Sequence, residues 1–183
     1  MSGYYWTLRT KRKAYNPDQP RVPAGNSEGG RWTSSGGGIS TAIIPKTRTT
    51  IQQQQIDKLR QEVETWTDEG RKWGADSALV YPGDVIVMKD GDELIGVANV
   101  ANRPVATSGA WAGMYEANYL GTKRPGYGKK MVDKIKQHII DQGGRGYYAY
   151  FAEDALPFHL ASGMKLREEP GDRIVYWMAE WGK

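Results

Sequence analysis

One stretch restricts the possible folds more than any other. The apolar and aromatic run Met114-Tyr115-Glu116-Ala117-Asn118-Tyr119-Leu120 leads into the turn Lys123-Arg124-Pro125-Gly126-Tyr127-Gly128-Lys129-Lys130, which opens the amphipathic run Met131 to Ile140. The first run reads as a strand. The last reads as a helix, because Met131, Val132, Ile135 and Ile139 recur at helical spacing and form one apolar stripe. Tyr147–Phe151 then reads as a second strand and Ala155–Ser162 as a short second helix. Glycines between a strand and a helix start leave several backbone N–H groups pointing one way, and with the positive end of the helix dipole they form an anion pocket suited to phosphate. Arg124, Lys129 and Lys130 are expected to add mobile positive charge at its rim. No Gly-Lys-Ser/Thr ends the turn, which excludes a P-loop. A dinucleotide fingerprint needs a third glycine and an acidic residue after the next strand, and neither is well placed.

The remaining segments complete an α/β pattern. Thr49–Trp73 is predicted as one helix with the stripe Ile56, Leu59, Val63 and Trp66, ended by Gly70 and Gly74. Val85–Lys89 and Leu94–Val100 are β-branched strands joined by an Asp90-Gly91 hairpin signal. Ala106–Ala112 reads as a loop. Lys165–Arg167 and Arg173–Met178 read as a closing hairpin across Pro170-Gly171-Asp172. Helix, antiparallel strands and a strand–helix–strand crossover predict a mixed sheet covered by helices on both faces.

Residues 1–45 are predicted to be an extended basic arm, rich in Gly and Pro, with residues 46–183 forming the folded domain. The whole formal net charge of +4 belongs to residues 1–40, where Arg9, Lys11, Arg12, Lys13, Arg21 and Arg31 outnumber Asp18 and Glu28. The rest of the chain balances. The eleven tyrosines and seven tryptophans, within 39% hydrophobic residues, are enough for a real core. The chain has no cysteine, which removes disulfides, thiolate nucleophiles and cysteine metal sites. Two histidines without cysteine make a zinc site an unpromising reading, so no metal is expected. No apolar run approaches a membrane span and the N-terminus lacks a signal peptide pattern, so the expectation is a soluble protein kept in the cytoplasm.

The spacing Lys123-x-x-Gly126-x-Gly128 resembles the acetyl-CoA loop of the GNAT N-acetyltransferases. The segment Ala155-Leu156-Pro157-Phe158-His159-Leu160-Ala161-Ser162-Gly163 is similar to that family's late motif, with Ala155, His159 and Gly163 at its spacing. The resemblance covers roughly Asp76 to Trp181. It implies a GNAT-like acyl-CoA acyltransferase fold and direct acetyl transfer from acetyl-CoA to an amine, with loop amides on the cofactor pyrophosphate and acyl-CoA lying where two strands splay apart. Three departures stand out: Lys123 occupies a usual Gln or Arg position, the connection from Leu120 to Lys123 is about two residues short, and His159 stands at a tyrosine position.

The resemblance assigns Glu116 as the base that deprotonates the amine through water, and alternation along a strand would put it on the same side as Leu120. An ordinary solvent-facing carboxylate is the competing reading. His159 is assigned as the acid that protonates the leaving thiolate, against a packing role; Tyr115, Tyr119 and Tyr127 are its replacements. The N–H of Leu120, with Gly121 beside it, is assigned to the thioester oxygen. Lys123, Arg124, Gly126, Tyr127, Gly128 and Lys129 are assigned to the pyrophosphate, against a glycine turn that merely lets the helix pack. His138 is read as a surface residue.

In the arm, Arg21-Val22-Pro23-Ala24-Gly25 followed by Gly29-Gly30-Arg31-Trp32 resembles a short motif of tailed-phage head and portal-associated proteins. It implies phage or prophage origin, hence the host cytoplasm, and opens a second reading: a virion protein anchored through residues 1–40. A third reading is an acyltransferase directed to nucleic acid by the basic arm, with Trp6, Trp32 and Tyr4-Tyr5 stacking on bases, against the favoured reading of these aromatics as knobs that dock the arm onto a protein surface. The acceptor amine is not legible.

Overall fold

The computed structural model of the chain describes residues 38–150, 152–169 and 173–179. The expectations for the arm up to residue 37, including the Arg21–Trp32 motif, and for the turn at 170–172 lie outside the described residues. The last residues assigned to the arm are instead a strand. β1 (Ile39–Ile44) runs antiparallel to β2 (Asp84–Asp90), from Ile39 opposite Asp90 to Ile44 opposite Val85. Its Ile and Thr residues suit extended backbone, and the Lys46 N–H donates to Asp84 Oδ1 at 2.8 Å just beyond it.

The single helix predicted over 49–73 is two. α1 (Thr50–Val63) starts from a capping box in which Thr49 and Gln52 bond each other's backbone N–H. The helix breaks at Glu64–Thr67, where Trp66 turns inward and is buried. Asp68 then caps α2 (Glu69–Val80), accepting from the Arg71 N–H at 3.1 Å. Gly70 and Gly74, expected to end a helix, lie within this second one. The α1 stripe is buried as predicted, with Ile56, Leu59 and Val63 inward.

β2 and β3 (Glu93–Val100) form the expected hairpin, turning at Gly91 with φ +59°. Along them side chains alternate between two cores: Val85, Val87, Leu94 and Val97 join α1 and α2, and Ile86, Met88, Ile95 and Ala98 join α3 (Gly128–Asp141). Helices therefore cover both faces. β6 (Gly146–Tyr150), a 3₁₀ turn at Glu153–Ala155, α4 (Leu156–Ala161) and the antiparallel pair β7 (Lys165–Glu169) and β8 (Arg173–Ala179) complete the order. Among the described residues, no helix is long and apolar enough to cross a membrane.

The strand predicted over 114–121 is two short pieces in different sheets. β4 (Met114–Glu116) pairs in parallel with β6, and β5 (Leu120–Thr122) pairs antiparallel with β3. The sheets run β1-β2-β3-β5 and β4-β6-β8-β7, so the chain crosses from one to the other at Ala117–Tyr119. His138 is not a surface residue: it is 5% exposed on α3, with Nε2 3.1 Å from Asp84 Oδ2.

Candidate active site

The site begins where the parallel ladder stops. Met114, Tyr115 and Glu116 face Gly146, Tyr147 and Tyr148, and the Ala117 N–H still reaches the Tyr148 carbonyl at 3.0 Å. Beyond that point Asn118 fills the ladder with its side chain. Its Oδ1 accepts the Tyr150 N–H at 2.9 Å, and its Nδ2 donates to the Glu116 carboxylate. β5 then leaves with β3 and β6 with β8. Between them lies a cleft of about 550 Å³, lined on one side by Leu120, Gly121 and Thr122 and on the other by Tyr147, Tyr150 and Ala152. Val132 and Ile135 of α3 and Phe158 and His159 of α4 also line it.

Register decides which amides point into this space. The Asn99 N–H meets the Tyr119 carbonyl at 3.0 Å, and the Lys123 N–H meets the Ile95 carbonyl at 3.0 Å. In an antiparallel ladder the residues between these bonds alternate, so Gly121 opposite Val97 bonds across to β3, while Leu120 opposite Ala98 turns its N–H away from it. Of the two amides expected for the thioester oxygen, Leu120's is the one left over. Gly121 has a packing reason instead: a Cβ there would collide with the backbone of α2 at Arg71 and Ala75.

The glycine loop offers main chain more than side-chain charge. Gly126 has φ +93° with open space where a Cβ would stand, and Gly128 lies against the Phe158 ring. Both line the cleft. No side chain caps the start of α3, so the N–H groups of its first turn have no intrahelical acceptor. Arg124 is not a mobile rim charge: Glu93 holds its side chain together with that of Lys123, whose Nζ lies 2.9 Å from Oε1. Hydrogen bonding from Lys123 holds that carboxyl below the usual range. The Tyr127 hydroxyl turns to Asp90 at 3.3 Å, so this residue brings only its backbone to the loop. Lys129 and Lys130 are exposed, with the Lys130 ammonium 5.3 Å from the Tyr127 ring centre.

Glu116 does not share a side with Leu120. Leu120 packs against the α3 core, whereas the Glu116 carboxylate accepts from the Tyr148 hydroxyl at 3.2 Å and faces Tyr81 at the end of α2. The sheet crossing at Ala117–Tyr119 resets the alternation by one residue. His159 lines the cleft as expected, with Nδ1 3.0 Å from Met164 Sδ. Burial lowers its pKa to about 4, so at neutral pH it is an uncharged imidazole with no imidazolium proton to give. Of the replacements, Tyr119 lines the cleft, while the Tyr115 hydroxyl reaches the Gln142 carbonyl at 3.4 Å and Tyr127 faces Asp90.

Solved structures share this fold. They include the GNAT domain of S. lividans PAT (TM-score 0.54, 13% identity, 76% of this chain and 89% of that one). An acetyltransferase of the GNAT family from Listeria monocytogenes matches with TM-score 0.52 at 11% identity, over 80% of this chain and 98% of that one. The N-acetyltransferase PseH of Campylobacter jejuni matches with TM-score 0.50 at 14% identity, over 78% and 99%. The fold is that of the GNAT acyltransferases. No protein-family model matches the sequence, and no curated protein matches it.

In this GNAT-fold domain the cleft runs through the sheet, and sequence reasoning missed one side of it. The loop, α3 and α4 wall the side already described. Gly70, Arg71, Trp73 and Gly74 of α2, with Tyr119, wall the other. Tyr119 sits between Tyr81 and Trp73, at centroid distances of 4.9 and 5.7 Å. Tyr148 packs edge-on to Tyr150 at 5.9 Å. Asn118 was missed as well, although an asparagine inside an apolar run is a strand-disfavouring residue and a readable signal.

Proposed function

We propose that the chain is an acetyl-CoA-dependent N-acetyltransferase. The observation carrying this reading is the ladder that ends at Ala117 and opens a cleft between Leu120 and Tyr150, with the uncapped start of α3 at its rim. Free first-turn amides and the positive helix end suit a pyrophosphate. The Leu120 N–H is directed to stabilise charge developing on the thioester oxygen.

The chemistry needs no covalent enzyme intermediate. An acceptor ammonium loses one proton to solvent through water at Glu116, and the neutral nitrogen attacks the thioester carbon. The C–N bond forms as the C–S bond breaks. The nitrogen releases its second proton and the CoA thiolate leaves with one. With His159 neutral, solvent or a cleft tyrosine serves as that donor.

The test is a pair of measurements on the full chain. Acetyl-CoA at a hundredfold excess over its dissociation constant should stabilise the fold by about 2.7 kcal/mol, read as a raised melting temperature. Amine-dependent release of CoA thiol should follow, and the cysteine-free chain gives a thiol reagent no background. No thermal shift at millimolar acetyl-CoA contradicts the reading.

The Arg21–Trp32 motif favours a second reading, a phage-encoded protein held in the virion by its arm. Recovery of the intact chain in purified particles would support it. The nucleic-acid-directed reading predicts that deleting residues 1–37, which spares β1, abolishes salt-dependent DNA or RNA retention.

A further inference from the structure

Resting on the transferase reading, we infer that the α2 mouth of the cleft is the acceptor subsite and that it takes an alkylammonium amine, a diamine or lysine-type side chain, between aromatic faces and the Glu116 carboxylate.

The two mouths differ in chemistry. The loop side presents the backbone of Gly126 and Gly128, with the exposed Lys129 and Lys130 further along the helix and Asp154 also lining the cleft. The other side presents Trp73, Tyr119 and Tyr150 at the cleft wall, with Tyr81 against Tyr119. Trp73 is 66% exposed and Tyr150 47%, unusual for side chains of this size unless something covers them. Ring faces carry negative potential and attract cations, most strongly when partly desolvated.

Behind this wall the Glu116 carboxylate lies against Tyr148 and Tyr81. Glu116 takes hydrogen bonds from Asn118 and Tyr148, and the Tyr81 hydroxyl also bonds it; an ionised carboxylate has about four acceptor positions, so it keeps capacity for one N–H donor or a bridging water. Its charge raises the pKa of Tyr81, together with burial. Arg71, which also lines this mouth, directs its guanidinium to Asp68 Oδ2 at 2.9 Å and to the Thr122 carbonyl at 3.2 Å. The same recognition is already used one ring further out, where the Arg167 guanidinium lies 4.8 Å from the centre of Trp111, itself packed on Tyr148. Rings plus a carboxylate select charge and alkyl reach together. A neutral or anionic acceptor gains nothing from Glu116.

The test separates this subsite from cofactor binding. The full chain, in the presence of CoA, is titrated with 1,4-diaminobutane by tryptophan fluorescence and calorimetry, and in parallel with 1,4-butanediol and 4-aminobutyrate. The diamine should saturate, with the diol and the amino acid at least about tenfold weaker. Trp73→Ala should weaken the diamine about five- to thirtyfold, Trp73→Phe should recover most of that loss, and Glu116→Gln should weaken it while leaving 1,4-butanediol unchanged. The acetyl-CoA thermal shift should persist in all three variants. Equal binding of diamine and diol, or diamine binding indifferent to both Trp73→Ala and Glu116→Gln, overturns the inference with the transferase reading intact. Loss of the acetyl-CoA shift in the unmodified chain overturns the transferase reading instead.

Discussion

Asn118 does at one position what a stretch of ladder would otherwise do: its carbonyl accepts the Tyr150 N–H and its amide fixes Glu116, while the two backbones separate. Removing both bonds with Asn118→Ala should cost about 1 kcal/mol, since this is a partly solvated site, and lower the transfer rate more than acetyl-CoA affinity. Urea denaturation and steady-state kinetics would check the two parts. His159 carries a pH prediction of definite sign. Its folded pKa of about 4 lies below the ordinary 6.5, so the unfolded chain takes up the proton first as pH falls. The stability it contributes is complete above pH 6.5 and is lost as pH drops toward 4. Melting temperature should decline across that window, and His159→Gln should flatten the decline. Glu93 restrains two loop cations. Glu93→Gln should tighten acetyl-CoA binding about two- to fivefold at low salt, and the gain should vanish at high salt.

At the level of elements, close backbone approach positions the cleft walls. A Cβ at Gly74 would stand 2.5 Å from the Leu120 carbonyl oxygen, which cannot move without shifting β5. Gly74→Ala should therefore destabilise by about 1–3 kcal/mol, despite the roughly 1 kcal/mol that alanine gains in a helix. Gly128→Ala meets a ring edge, Phe158 Cε2 at 2.6 Å, which can swing aside. It should be milder in stability and visible mainly in acetyl-CoA affinity. Thermal melts of the two variants would separate them. Periodicity revealed most of these elements: the β2–β3 hairpin, the α3 stripe and the crossover were legible because each is written in local spacing. The failures were places where tertiary structure overrode a local pattern. The stripe Ile56, Leu59, Val63 and Trp66 reads as part of one helix over Thr49–Trp73, yet burial of Trp66 and capping by Asp68 divide it. Met114–Gly121 is one apolar run, yet its halves find partners in different sheets. β1 is masked in the sequence by the Gly- and Pro-rich residues before it, although Ile39, Thr41, Ile43 and Ile44 are β-branched. The aromatic mouth had no sequence signature, because Trp73, Tyr81, Tyr119 and Tyr150 meet only in three dimensions.

For the whole molecule, the cleft follows from two sheets joined by the segment Ala117–Tyr119, with β4 in one and β5 in the other. The described domain is bracketed by an acid–base balance near neutrality beyond residue 40, so anion binding has to come from local main-chain geometry and not from a general positive field. On the proposed transferase reading, amides of the parted strand and of the glycine loop hold an acyl-CoA. Hydrogen exchange of the full chain with and without acetyl-CoA tests it most directly. The account predicts slowed exchange in peptides covering Leu120 and residues 126–130, with little change in β1 or α1. Saturating acetyl-CoA that leaves exchange at those amides unaltered would contradict it.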